Sequence, residues 1–258
     1  MASGKTSKRT RSTRSTAVTQ RSIPWSTIIA VGVVVLFAAA VLGYVISEQR
    51  TKSASEAAVA AYTPSDENKD PSAAIPGVVT ASYTGGQHIG ATERVAYTKS
   101  PPFGGAHDFT WAACTGTVYA APVRNENMVH SLEHGAVWIA YDPTKITGDG
   151  LAALRNRVEG KPYSMLSPYP GLDQPISLQS WGHQLKLSDP ADPRIDQFIQ
   201  SLRLNQFQHP EFGASCSVGP SQFNQDNPPP LVTAPAGPGA MPEAGRGAPA
   251  ADENLPNG

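Results

Sequence analysis

A chain of 258 residues with a formal net charge of -1 is long enough for one ordinary domain with extensions, or for two small ones. The near-neutral total hides an asymmetry: residues 1–21 carry Lys5, Lys8, Arg9, Arg11, Arg14 and Arg21 and no acid, which leaves 14 basic against 21 acidic residues, about -7, for the rest. Beyond that arm no dense Lys/Arg patch exists, which excludes nucleic-acid binding by the folded part, and two cysteines without a Cys-x-x-Cys pair exclude a dithiol redox motif.

Taken in order, residues 1–22 are rich in Ser, Thr, Arg and Lys and lack apolar periodicity, so they read as a disordered basic cytoplasmic arm. Residues 23–46, from Ile23 to Ile46, contain no charge, and a helix of roughly 20 residues crosses the hydrocarbon core. A cleaved signal peptide would have a shorter apolar stretch, so the expectation is an uncleaved signal-anchor in the cell membrane. The basic arm puts the N-terminus in the cytoplasm and the remainder outside. Residues 47–74 read as a polar spacer that prolongs the helix for a few turns before Pro64, Pro71 and Pro76 break it.

From 75 the pattern is that of a domain. Val78 to Tyr83 and Glu93 to Tyr97 suit short strands, Asn125 to His134 a short helix, and Ala136 to Tyr141, apolar on both phases, a buried central strand. Asp149 to Val158 is an amphipathic helix, Tyr163 to Leu166 a strand, Ile176 to Trp181 and Gln184 to Leu187 a bulged strand or hairpin. Asp189 or Asp192 caps a helix running to about Asn205. From Gly219 the chain turns to Pro, Gly, Ala and Asn, and residues 219–258 read as a disordered tail. The expected fold is therefore α+β, a single compact extracytoplasmic domain over 75–218. It has short strands and two or three helices, and one transmembrane helix precedes it.

Chemistry-bearing side chains crowd at His130-Ser131-Leu132-Glu133-His134-Gly135, with His107 upstream in a Pro- and Gly-rich loop. On a helix His130 and His134 share a face at i and i+4, a spacing that places two imidazoles on one metal ion. With His107, and His88 as a fourth ligand, the cluster suits zinc or copper rather than calcium or magnesium. Asp108 and His183 are weaker candidates, and His209 reads as a surface residue. The string also matches the H-x-x-E-H signature of inverted zinc proteases with Glu133 as general base. Gly135 and the β-prone run behind it, however, end the helix at once. The alternative is a metal-free envelope module whose histidines are hydrogen-bonded core residues. Trp111, Tyr119, Trp138 and Trp181 read as core aromatics. Cys114 and Cys216 read as one structural disulfide closing a loop of about 100 residues, worth roughly 4–5 kcal/mol; metal-bound thiolates or free buried thiols are the other options.

Gly86-Gln87-His88, Tyr97, Pro101-Pro102, Gly105-x-His107, Trp111, Gly116-x-x-Tyr119 and His130-x-Leu132-Glu133-His134-Gly135 resemble a bacterial family known as domain of unknown function 3105. Its hallmarks are Pro-Pro-x-Ser-Gly-x-His and His-x-Leu-Glu-His-Gly. The resemblance spans about 78–212 and continues at Pro168-Tyr169-Pro170, Trp181-Gly182 and Phe198-Ile199. It implies a membrane-anchored, outward-facing domain without assigned activity, in which His107, His130, Glu133 and His134 belong to one site. The chain departs at Gly104, where the family has serine, and at His183, where a basic residue such as arginine is expected. The resulting expectations are a zinc or copper site at His88, His107, His130 and His134, with Glu133 in the outer shell. The partners expected are the lipid bilayer and a cell-envelope protein, with a metal-dependent hydrolase as the third functional option.

Overall fold

The structure, a computed structural model, describes Met1 and residues 24–246; the basic arm and residues 247–258 lie outside the described residues. The chain divides into two units, 1–54 and 55–258. The first is dominated by α1, Trp25–Val59, which buries none of its residues and is long and apolar enough to cross a membrane. The helix outlasts its apolar run because Ser47 to Val59 is rich in good helix formers with no Gly or Pro.

The second unit is built on a six-stranded mixed sheet. Its strands are β1 (Val78–Thr80), β5 (Thr115–Val118), β6 (Val137–Tyr141), β7 (Ser164–Pro168), β8 (Ile176–Ser180) and β9 (His183–Leu187), in the order β1-β9-β8-β6-β7-β5. β6 pairs in parallel with β7 and antiparallel with β8, and β8 and β9 form a hairpin. The expected central strand is central: every residue of β6 is buried. Period-two alternation divides its side chains between two cores. Val137, Ile139 and Tyr141 face α3 (Gly148–Val158) and α4 (Arg194–Leu202), which contribute Leu154, Val158, Ile195, Phe198 and Leu202. Trp138 and Ala140 face the other layer, where α2 (Asn125–Glu133) supplies Met128, Val129 and Leu132. Each such fully buried side chain contributes about 1.5–3 kcal/mol. Together they pin α2, and the histidines it carries, to the rigid middle of the sheet. Cys114 and Cys216 are joined as a disulfide, their Cα atoms 4.7 Å apart.

Parts of the expected spacer and of the expected disordered tail pack on the domain. In the expected spacer, 3₁₀ turns at Ala60–Tyr62 and Pro71–Ala74 follow α1. Tyr62 packs against the core, Asp70 caps the second turn and contacts His183, and Asn205 holds the Lys69 carbonyl. In the expected tail, residues 219–246 lie along the domain. Phe223 is buried, and β10 (Met241–Pro242) pairs in parallel with β3 (Val95–Ala96). The buried Glu243 takes the Thr98 N–H and hydroxyl, and its carbonyl accepts the Ala106 N–H at 2.7 Å. Composition misses both because the binding is done by backbone groups and single polar side chains, not by an apolar run.

Candidate metal centre

Three short elements converge at one place. β2 (His88–Ile89) and β4 (His107–Asp108) run in parallel with His88 opposite His107. α2 adds His130 and Glu133 one turn apart, and His134 is its C-cap. The helix ends there because Gly135 adopts φ +91°, which L side chains rarely take. A Cβ at 135 would also lie 2.8 Å from Nε2 of His209. Across the site, the loop at Gly85 comes so close that a Cβ there would sit 2.7 Å from Oε1 of Glu133, and this approach lets the Gly86 N–H donate to the same oxygen at 2.6 Å.

The histidines are oriented alike. Nδ1 of His107 lies 2.7 Å from the Gly105 carbonyl, Nδ1 of His130 2.7 Å from that of Asp108, and Nδ1 of His134 2.8 Å from that of Ser215. A carbonyl only accepts, so each Nδ1 must carry a proton. In the neutral ring Nε2 then keeps its lone pair. This is the tautomer that metal-ligating histidines are held in by an outer hydrogen bond. One ligand atom from each of His88, His107, His130 and Glu133 lies within 4.8 Å of the others, and the rings of His88, His107 and His130 are 4.7–4.9 Å apart. His107 and Glu133 are fully buried, and His107 Nε2 is 2.7 Å from Glu133 Oε2. Despite that separation both atoms, with Nε2 of His88, lack an aligned hydrogen-bond partner. A buried unsatisfied polar atom costs about 1–3 kcal/mol, so this pocket is expensive without an occupant that all of them can bind.

The electrostatics favour neutral imidazoles at His88, His130 and His134 and an ionised Glu133. Burial, with His107 and His134 nearby, pushes His130 down to about 3. Burial also lowers His88, helped by His107, and lowers His134 against the Ser215 carbonyl and the Glu211 carboxylate. Burial pushes the Glu133 carboxyl up, but His107, the Gly86 N–H and His130 outweigh it and hold the group below the usual carboxylate range. At neutral pH His88, His130 and His134 thus present neutral rings and Glu133 its carboxylate, the forms that metal binding requires. A pH dependence follows. Between about pH 6.5 and 3 the unfolded chain binds a proton at His130 that the folded chain refuses, so stability of the metal-free protein falls as pH falls. At pH 5 the loss from His130 alone is about 2 kcal/mol. Thermal melts of chelator-treated protein at pH 7.5 and 5 should show it, and an unchanged midpoint would mean that His130 is not buried as a neutral ring.

The expected site residues are placed as follows. His88, His107 and His130 come together with Glu133, which stands among the ligand atoms rather than behind them. His134 turns aside: its Nε2 lies 3.0 Å from Oε2 of Glu211, and His130, His134 and Glu211 form a second group of potential ligands. Asp108 gives its carbonyl to His130 and its carboxylate to Arg124. His183 contacts Asp70 through Nε2 at 3.2 Å. His209, read as a surface residue, is buried and its Nδ1 meets the Glu133 carbonyl at 3.2 Å. Its chain neighbours gave no periodic signal, and neither did those of Glu211, because both sit in the irregular loop after α4. Tyr119 and Trp138 are core residues as expected. Trp181 is in the same core, 5.8 Å from His107; Trp111 instead lies tilted beside His134 and His130, with centroids 4.8 and 5.5 Å away. A side chain at Gly104 would run into the Tyr83 ring.

Residues 88–218 match the family described as "Protein of unknown function (DUF3105)". No curated protein and no solved structure matches the chain.

Proposed function

The chain belongs to the DUF3105 family of proteins of unknown function, and we propose that its folded domain binds a divalent transition metal, zinc or copper, through His88, His107, His130 and Glu133. The observation that carries this reading is the convergence of their ligand atoms within 4.8 Å of one another, with buried polar atoms left without a hydrogen-bond partner on His88, His107 and Glu133. Three imidazoles and a carboxylate suit zinc or copper(II); calcium and magnesium want oxygen donors. Cys114 and Cys216 are committed to each other and stand outside the donor set. Oε1 of Glu133 is held by the Gly86 N–H while Oε2 faces the histidines, so Glu133 reads as a ligand and the protease-type general base loses its support.

The apolar helix and the basic arm support an anchor in the cell membrane with the N-terminus in the cytoplasm. The disulfide is in keeping with an extracytoplasmic domain, where such bonds persist. A second reading, a metal-free envelope module that docks a protein partner, draws on two exposed rings beside the histidines. Phe109 is 5.3 Å from His88 and Phe212 is 6.3 Å from His209.

The deciding experiment is elemental mass spectrometry on the full chain, extracted in detergent without a histidine tag. At least one equivalent of zinc or copper is expected, removable by chelator with a drop in melting temperature. Absence of metal after reconstitution with both ions, and a melt indifferent to chelator, would turn the assignment to the docking module.

A further inference from the structure

Six potential ligands stand at this pocket, and a zinc ion in a protein is held by four. They divide by distance into His88, His107, His130 and Glu133 on one side and His130, His134 and Glu211 on the other, each set having its ligand atoms within 4.8 Å of one another. Resting on the metal reading above, we infer that the pocket takes a second divalent ion, held by His130, His134 and Glu211; with both ions bound His130 serves the outer one, and the first is held by His88, His107 and Glu133.

His134 is prepared as the inner histidines are. Its Nδ1 is committed to the Ser215 carbonyl at 2.8 Å, so the neutral ring turns a lone pair toward Glu211 Oε2 at 3.0 Å. Two acceptors at that separation repel unless a proton or a cation lies between them. The same carboxylate oxygen is 3.9 Å from Nε2 of His130, too far for a hydrogen bond yet suited to two ligands of one ion. His130 cannot bridge the two positions, because its Nδ1 is bound to the Asp108 carbonyl and a single nitrogen remains. Assigning that nitrogen to the outer set gives three protein ligands to each ion. Three ligands leave a coordination position open to water or to an external ligand, the arrangement of reactive rather than purely structural zinc sites. Each position has one ligand open to solvent: the Glu211 side chain is 37% exposed and that of His88 27%, whereas those of His107 and Glu133 are 0% exposed.

The test is stoichiometry. Full-length protein in detergent is stripped with chelator, reloaded with zinc, desalted and measured by elemental mass spectrometry. The wild type is expected to hold two equivalents, and Glu211→Gln to hold one. His134→Gln, also expected at one, guards against an effect peculiar to the loop. One equivalent in the wild type, unchanged in both variants, would overturn the second ion and leave the first intact. Two equivalents retained in both variants would likewise overturn the assignment to these residues. No zinc in any of the three would overturn the metal reading itself.

Discussion

His107→Ala should release the inner ion and destabilise the metal-free domain as well. His107 is fully buried, donates through Nδ1 to the Gly105 carbonyl and sets Nε2 2.7 Å from Glu133 Oε2. Truncation removes one of the inner ligands, and because even loss of an outer partner typically costs 10–100-fold in affinity, the drop here should exceed about 100-fold. It also leaves the buried Glu133 carboxylate with the Gly86 N–H as its remaining close partner, and a buried charged group that loses a polar neighbour costs about 1–3 kcal/mol or more. Chelator competition and thermal melts read the two effects separately. A variant that melts lower but keeps full zinc affinity would make His107 a structural residue, as the docking-module reading requires. A variant that loses one equivalent of zinc, and with it part of the wild-type response to chelator, would place it in the metal centre.

The elements legible in the sequence were those that apolar patterning controls. β6 could be read because Val137 to Tyr141 is apolar on both phases and is in fact buried on both faces. α2 could be read because two histidines and a glutamate fall within five residues before a glycine, and the structure ends that helix at Glu133. His88 was legible only as a candidate, and its opposition to His107 depends on the β2–β4 pairing, a long-range match between two strands of two residues each. Glu211 and His209 were not legible as site residues. They arrive by tertiary packing: the Glu211 N–H donates to the Glu133 carbonyl, and His209 is admitted because residue 135 has no side chain. The stretch from 219 to 246 escaped for a related reason. Composition measures how much apolar surface a segment can bury, and this segment is held largely by backbone pairing with Arg94 and Ala106 and by the carboxylate of Glu243.

Replacing both cysteines, Cys114→Ser with Cys216→Ser, is expected to lower stability by roughly 4–5 kcal/mol, since the bridge joins residues 102 apart and restricts the unfolded chain accordingly. Against a typical 5–15 kcal/mol for a whole domain this is a large fraction, readable as a lower denaturant midpoint. The effect on the site should be unequal. Cys216 follows Ser215, whose carbonyl orients His134, and the Cys114 N–H donates to the Cys216 carbonyl. The bridge therefore anchors the loop that carries Glu211. The inner ligands hang on β2, β4 and α2 instead, with α2 held to the sheet by Val129 and Leu132. At a temperature where the double variant remains folded, the outer ion should be lost and the inner one kept. Equal loss of both ions would mean that the bridge supports the whole pocket, and an unchanged midpoint would mean that the closed loop is already constrained in the unfolded chain. If the unequal loss is observed, redox state would act on one metal position through the covalent tether of its loop, with no cysteine touching an ion.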